Sequence, residues 1–264
     1  MSGTVIAAID LGPSTVRVLR HAAGFARLLS SPLKIVHVTS EPSPAEYQRV
    51  ADFCVRHAPY EIDLDQVEIV LRAGHVSEAV HREAVRAGAE LVVIGSRGHG
   101  RIARLLLGSS SVAVLRSAPA PVLLVPPIDL DIVDLADRVT LNSGPILAAV
   151  DLADACEHQL RSADRLAQIS RQPLLLMTVA ARKLSDHQAG VMLRERAHHV
   201  DVLKPSAFIV RRGAIAQEIS RCAVQEGAGL VVMGLRSRPR STPGVIATAV
   251  LKTNRAFVLA VPGS

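Results

Sequence analysis

The stretch Val92-Val93-Ile94-Gly95-Ser96-Arg97-Gly98-His99-Gly100-Arg101, running on to Gly108-Ser109-Ser110, decides how the rest of the chain is read. It opens as an apolar run, the pattern of a buried strand. It then breaks into a loop with three glycines and two arginines, and from Gly108 a Ser/Ala/Val/Leu segment has the composition of a helix. Glycine lets backbone approach a ligand closely and tolerates positive φ. Free N–H groups in such a loop, followed by a helix N-terminus, make an anion site. Arg97 and Arg101 add charge-assisted donors. The residues therefore describe a phosphate cradle at the carboxyl end of a parallel strand, against the plainer reading of a strand-to-helix turn whose glycines serve sterics alone.

Working outward, the same module is written twice. Residues 74–95 read GHVSEAVHREAVRAGAELVVIG and residues 213–234 read GAIAQEISRCAVQEGAGLVVMG, aligned without a gap. The starts match too, Val5-Ile6-Ala7-Ala8-Ile9-Asp10 against Ile146-Leu147-Ala148-Ala149-Val150-Asp151, and so do the ends, at Pro126 and Pro262. In the first copy the hydrophobic pattern predicts strands near 4–9, 33–39, 66–72, 91–95 and 121–125, and helices near 14–30, 44–57, 76–88 and 109–117. Strands alternating with helices imply a parallel sheet covered on both faces. Pro13 suits a first helical turn, Ser77 and Glu78 suit the start of the third helix, and Gly88 suits its end. Between the copies, residues 128–144 open after Pro126-Pro127, close on Asn142-Ser143-Gly144 and carry Asp129, Asp131, Asp134 and Asp137. They read as a partly ordered, solvated linker; the glycine and spacing of a calcium loop are missing.

The glycine spacing sharpens the cradle. Two residues separate Gly95 from Gly98, nine separate Gly98 from Gly108, and Ser109 follows. This G-x2-G-x9-G-S pattern after an apolar strand resembles the ATP-binding loop of the universal stress protein family. The resemblance spans nearly the whole chain, strong in the first half and degenerate in the second. It implies an α/β fold of two tandem Rossmann-like (adenine nucleotide alpha hydrolase-like) modules, each with a five-stranded parallel sheet: 1–127 with an intact nucleotide loop, 128–144 as linker, and 145–264 degenerate. It implies that Asp10 contacts the adenosine part of a nucleotide and that the backbone of Val38 reads the adenine edge. It implies that Gly95, Ser96, Arg97, Gly98, His99, Gly100 and Arg101, with Gly108, Ser109 and Ser110, hold ribose and phosphates. The ligand would be ATP, with or without Mg²⁺, and the role a stress-response switch in a homodimer with an unidentified protein partner. The family often has Gly-Ser after the aspartate; here the chain reads Asp10-Leu11-Gly12-Pro13-Ser14. Taken alone, Asp10 serves equally as a turn carboxylate, and His37 reads as a packed strand residue rather than a ligand.

The second copy has lost the cradle. Aligned from the C-terminus, Gly108 falls on Gly244 and Ser109 on Val245, and the loop is three residues shorter, 108 − 95 = 13 against 244 − 234 = 10. Pro239 and Pro243 remove N–H donors, and Arg236, Arg238 and Arg240 read as a solvated basic loop.

Composition bounds the rest. At 264 residues, 49% hydrophobic and 20% charged, the chain can bury one large core or two ordinary ones. Three cysteines, Cys54, Cys156 and Cys222, fit a reducing cytoplasm better than a disulfide framework. No apolar run reaches the ~20 residues of a membrane span. The net charge of +6 raises a nucleic-acid partner, but 2% aromatic residues and no Trp leave no stacking platform. No Walker loop, nucleophile elbow or kinase signature is present. Two rivals to the ATP switch stay open: a nucleotide-independent interaction scaffold of the same fold, and a slow ATP hydrolase.

Overall fold

The computed structural model describes residues 3–57, 66–96, 107–127, 131–134, 140–202, 204–235, 245–253 and 256–263. It divides into two compact units, Met1–Thr140 and Leu141–Ser264. In the first unit the elements run β1 (Thr4–Ile9), α1 (Thr15–Leu29), β2 (Leu33–Thr39), α2 (Pro44–His57), β3 (Glu68–Ala73), α3 (Val76–Arg86), β4 (Ala89–Gly95), α4 (Ser109–Ser117), β5 (Val122–Val125) and the short β6 (Val133–Asp134). After β7 (Thr140–Leu141), the second unit repeats the series: β8 (Ile146–Ala149), α5 (Glu157–Ser170), β9 (Leu174–Val179), α6 (Asp186–His199), β10 (Ala207–Arg211), α7 (Ile215–Glu226), β11 (Leu230–Leu235), α8 (Val245–Thr253) and β12 (Phe257–Pro262).

Within each unit the strand order is the same, β5-β4-β1-β2-β3 and β12-β11-β8-β9-β10, with parallel pairing. The central strands carry the core. Val5, Ile6, Ala7, Val92 and Val93 are fully buried in one unit, and Ile146, Leu147, Ala148, Val231 and Val232 in the other. Strands covered on both faces read as continuous apolar runs. The Rossmann-like α/β expectation therefore holds. The expectation of two self-contained sheets of five is not borne out. A sheet ends in strands with open hydrogen-bonding groups, and neither β5 nor β12 has an edge's exposure: Val122–Val125 are wholly buried and Phe257–Val261 at most 2% exposed.

The helices bury the face that their periodicity predicts. α1 turns Val18, Leu19, Ala22, Phe25 and Ala26 inward and stops at Ser30 in the left-handed region, φ 56°, with Ser31 N donating to Ala26 O at 2.8 Å. α5 stops in the same way at Arg171, with Gln172 N donating to Ala167 O at 3.0 Å. α3 departs from expectation. It begins at Val76 behind His75 with no side-chain cap, so Ser77 lies inside the first turn rather than capping it.

The described part of the inter-copy segment is also packed, against the expectation of a solvated linker. Ile132 and Val133 are 0% and 3% exposed. Asp131 pairs with Arg20 at 3.1 Å, the Ile132 N–H donates to His21 Nε2 at 3.3 Å, and Val133 lies where a Cβ on Gly24 would stand 2.0 Å from its Cγ1. Gly24 thus makes room for this segment on α1.

Candidate functional site

In the first unit the chain order reverses beside β1: β2 lies on one side and β4 on the other. Adjacent crossovers leave in opposite directions there, which opens a crevice at the carboxyl ends of the strands. The register brings those ends level, with Ile9 opposite His37 and Ala8 opposite both Val36 and Ile94. The crevice encloses about 620 Å³, counting space open to solvent, and Asp10, Val38, Gly95 and Ser110 all line it. Four residues spread over a hundred positions of sequence therefore meet in one cleft.

The aspartate has a structural task of its own. Its Oδ1 accepts from Gly12 N at 2.9 Å and from Thr15 Oγ1 at 3.2 Å, pinning the turn in which Leu11 holds φ 57°. A non-glycine residue in that region is strained, and the carboxylate is what closes the turn around it. Asp151 repeats the first of these bonds, accepting from Ala153 N at 3.0 Å. His37 is packed as expected, 5% exposed, with its ring nitrogens on Ile9 O at 2.9 Å and Glu46 Oε1 at 3.1 Å.

At the other wall, the loop is closed by its own backbone. Ser96 N donates to Val125 O at 2.9 Å, and Gly108 N donates to Ser96 O at 3.0 Å. Those two amides are spent on the fold, which corrects the picture of a continuous row of free donors. Ser96 is 4% exposed, and neither it nor Gly108 nor Ser109 lines the cleft. Arg97, Gly98, His99, Gly100 and Arg101 lie outside the described residues. The donor end belongs to α4. Gly108 precedes it in extended geometry, φ −60° and ψ 147°, with no side-chain cap. The first amides of a helix have no intrahelical acceptor and carry its positive dipole end, and Ser110 stands there exposed.

Ser111 was missed by sequence reasoning. It is 7% exposed, lines the cleft and donates from Oγ to Gly95 O at 2.8 Å, tying α4 to the end of β4. The signal was there: Ser111 stands three and four residues before Val114 and Leu115, the buried face of α4. Ser14 and Thr15 also line the cleft from the start of α1. Among the described residues no cluster of His, Cys, Asp or Glu could hold a metal ion, and no helix is long and apolar enough to cross a membrane.

The profile of the Universal stress protein family matches residues 1–126. Universal stress protein Slr1230 of Synechocystis sp. is 32% identical over 119 residues, 45% of this chain and 41% of that protein, so the match spans about two fifths of that relative's length. Universal stress protein Rv2623 of Mycobacterium tuberculosis is 30% identical over 270 residues, covering 89% of this chain and 86% of that one. Among solved structures, a universal stress protein from Archaeoglobus fulgidus aligns with a TM-score of 0.72 over 99% of both chains at 16% identity, a likeness of fold. Identity that extends along nearly the whole chain carries the conclusion that it belongs to the universal stress protein family.

Proposed function

We propose that the first unit binds an adenine nucleotide, ATP, and acts as a stress-response switch. The observation that carries this reading is the convergence of Asp10, Val38, Gly95 and Ser110 on one cleft at the β1/β4 reversal, beside the uncapped N-terminus of α4. An adenine ring would lie between the apolar ends of β1 and β2, with the Val38 backbone at its edge and Asp10 toward the ribose. The phosphates would meet the α4 amides, the Ser110 hydroxyl and the glycine loop Gly95–Arg101; Ser96 and Gly108 would shape that loop rather than donate to the ligand. A divalent cation fits only as a passenger on the phosphates, since among the described residues Asp10 is the cleft's one acidic side chain. In this reading residues 1–127 are the nucleotide domain, 128–144 the connection and 145–264 a domain that has lost the phosphate grip, the functional assembly being a homodimer.

A switch needs two states that differ in affinity for the ligand. Calorimetric titration of ATP into the wild type and into Gly98→Pro and Ser110→Ile tests the site. Each variant removes donors from the cradle and should weaken binding roughly 10–100-fold, the worth of one charge-assisted hydrogen bond. Unchanged affinity in both variants overturns the assigned cradle, and absence of any ATP binding overturns the reading.

A further inference from the structure

One wall of the first cleft is held from the back of the sheet. His37 stands between Val36 and Val38, both of which line the cleft, so strand alternation turns its ring to the opposite face. There it ties three elements together. Nδ1 lies 2.9 Å from the carbonyl oxygen of Ile9, the last residue of β1, and Nε2 lies 3.1 Å from Glu46 Oε1 on α2. A carbonyl and a carboxylate only accept, and Arg49, 2.5 Å from Glu46, holds that carboxyl below the usual range. A neutral imidazole has one N–H and one lone pair. Either neutral tautomer therefore aims a lone pair at an oxygen, in a place where the ring is 5% exposed and water screens little. The imidazolium alone donates to both.

The surroundings leave that proton to this ring. From α2 it faces Glu46 and, behind it, Arg49; from β3 its register partner is the apolar Leu71. Lys34 of β2 and Arg72 of β3 are held by Glu83 of α3, while on α1 Arg20 pairs with Asp131 and His21 accepts from Ile132 N. Asp10, next in the chain after Ile9, closes its turn on Gly12 and Thr15. The second unit braces its strand ends differently. Its matching cleft lies where β8, β9 and β11 end and encloses about 700 Å³ including space open to solvent. The counterpart of His37 there is Thr178. Gln159 donates to Ala149 O at 2.8 Å and to Val232 O at 3.0 Å, bridging β8 and β11 with an amide, which does not titrate. The hydroxyls of Thr15, Ser110 and Ser111 in the first cleft have Cys156, Ile246 and Ala247 in their places.

We propose that His37 is a positioning residue for the nucleotide cleft: its second proton fixes the ends of β1 and β2, where Asp10 and Val38 meet the ligand, and ATP binds more weakly once that proton is lost. The inference rests on the nucleotide reading above. Two measurements test it. Long-range proton–nitrogen NMR of the free full chain reads the ring's protons directly and needs no ligand; at about pH 6 both His37 nitrogens should carry one. Calorimetric titration with ATP then compares the wild type with Glu46→Gln and His37→Asn from about pH 5 to about pH 9, which brackets the range in which an imidazole gives up its proton. Relative to the variants, wild-type affinity should fall about fivefold across that range, the worth of one hydrogen bond. ATP's own titration is common to the three proteins and cancels in the comparison. Glu46→Gln can donate to Nε2 and still accept from Arg49, so the neutral ring fits and the fall should vanish while binding is kept. His37→Asn puts an amide N–H near the place of Nδ1 and should be flat as well; should it fail to fold, Glu46→Gln decides. A neutral His37 ring at about pH 6, or a wild-type profile that Glu46→Gln reproduces, overturns the proposal and leaves the nucleotide reading in place. No ATP binding at any pH overturns the nucleotide reading, and the positioning role with it, whatever the ring carries.

Discussion

The two units share a strand order, a helix series and even the left-handed residue that ends α1 and α5, yet they treat polar groups differently. In the first, α3 is anchored to the sheet by charge. Glu83, 2% exposed, accepts from Lys34 Nζ at 2.9 Å and from Arg72 Nε and Nη2 at 3.0 and 2.6 Å. In the second, the counterparts of Lys34 and Glu83 are Leu175 and Cys222, 6% and 0% exposed. At the base of the clefts the exchange runs the other way, Val18 in the first unit against the bridging Gln159 in the second. The backbone plan tolerates either solution because it asks only that these positions be filled and their polar atoms paired. What the cleft wall presents is then free to diverge, and it does so at the hydroxyls.

The largest effect should come from the charged anchor. Glu83→Ala leaves Lys34 and Arg72 without their shared buried partner and should cost about 3–5 kcal/mol, read as a lower urea midpoint. Cys222→Ala at the matching place removes only a packed thiol and should cost about 1 kcal/mol. Equal costs would break the contrast. Burial pushes the Glu83 carboxyl up, but hydrogen bonds from Lys34 and Arg72 outweigh it and hold it below the usual range. That contribution is therefore present above the unfolded carboxylate's pKa and is lost as pH falls through the lower folded value.

Next comes acid sensitivity. His21 is fully buried, and burial pushes its pKa down to about 4 against the backbone hydrogen bond and Asp131 that favour its charge. Its partners fit the neutral ring: Nδ1 donates to Arg17 O at 2.8 Å while Nε2 accepts from Ile132 N. The unfolded chain binds this proton more readily, so stability should fall by about 3 kcal/mol as pH drops from about 6.5 to about 4. The second unit has Ser162 at this position and no such group. Replacing His21 with Gln should flatten that part of the stability-against-pH curve, and an unchanged slope would show that the titration lies elsewhere.

Smaller effects probe the cleft floors. Gln159→Val, which imports the first unit's residue, leaves the Ala149 and Val232 carbonyls without their donor and should cost about 2 kcal/mol in chemical unfolding. Ser111→Ala, which imports the second unit's residue, loses one hydrogen bond to Gly95 O and should cost about 1 kcal/mol. If the order of these two costs were reversed, the first cleft rather than the second would be the one braced across its strands.

Much of this was legible in the sequence. The expected first-copy helix 109–117 and strands 4–9 and 33–39 coincide with the observed elements, because apolar periodicity reports burial directly. The alignment of Gly108 with Gly244 is supported by α4 and α8, nine residues each and each starting one residue later. The candidate cleft was legible only in outline. Asp10, Val38 and Gly95 announced themselves as strand ends, whereas Ser111 looked like one more serine in a run. The segment around Ile132 misled because four aspartates and flanking prolines have a linker's composition, while two apolar residues between them suffice to dock it.

The sequence by itself determined the duplicated α/β plan, the family, and the asymmetry between a glycine-rich loop and its proline-broken copy, since spacing and hydropathy are properties of neighbours along the chain. Only the tertiary structure decided which amides are already spent, which serine braces the cleft and which histidine is held neutral. Those facts rest on partners such as Ser96 with Val125 and His21 with Ile132, the latter 111 positions apart. A hydrogen bond depends on where two groups meet in space, and no local pattern records that meeting.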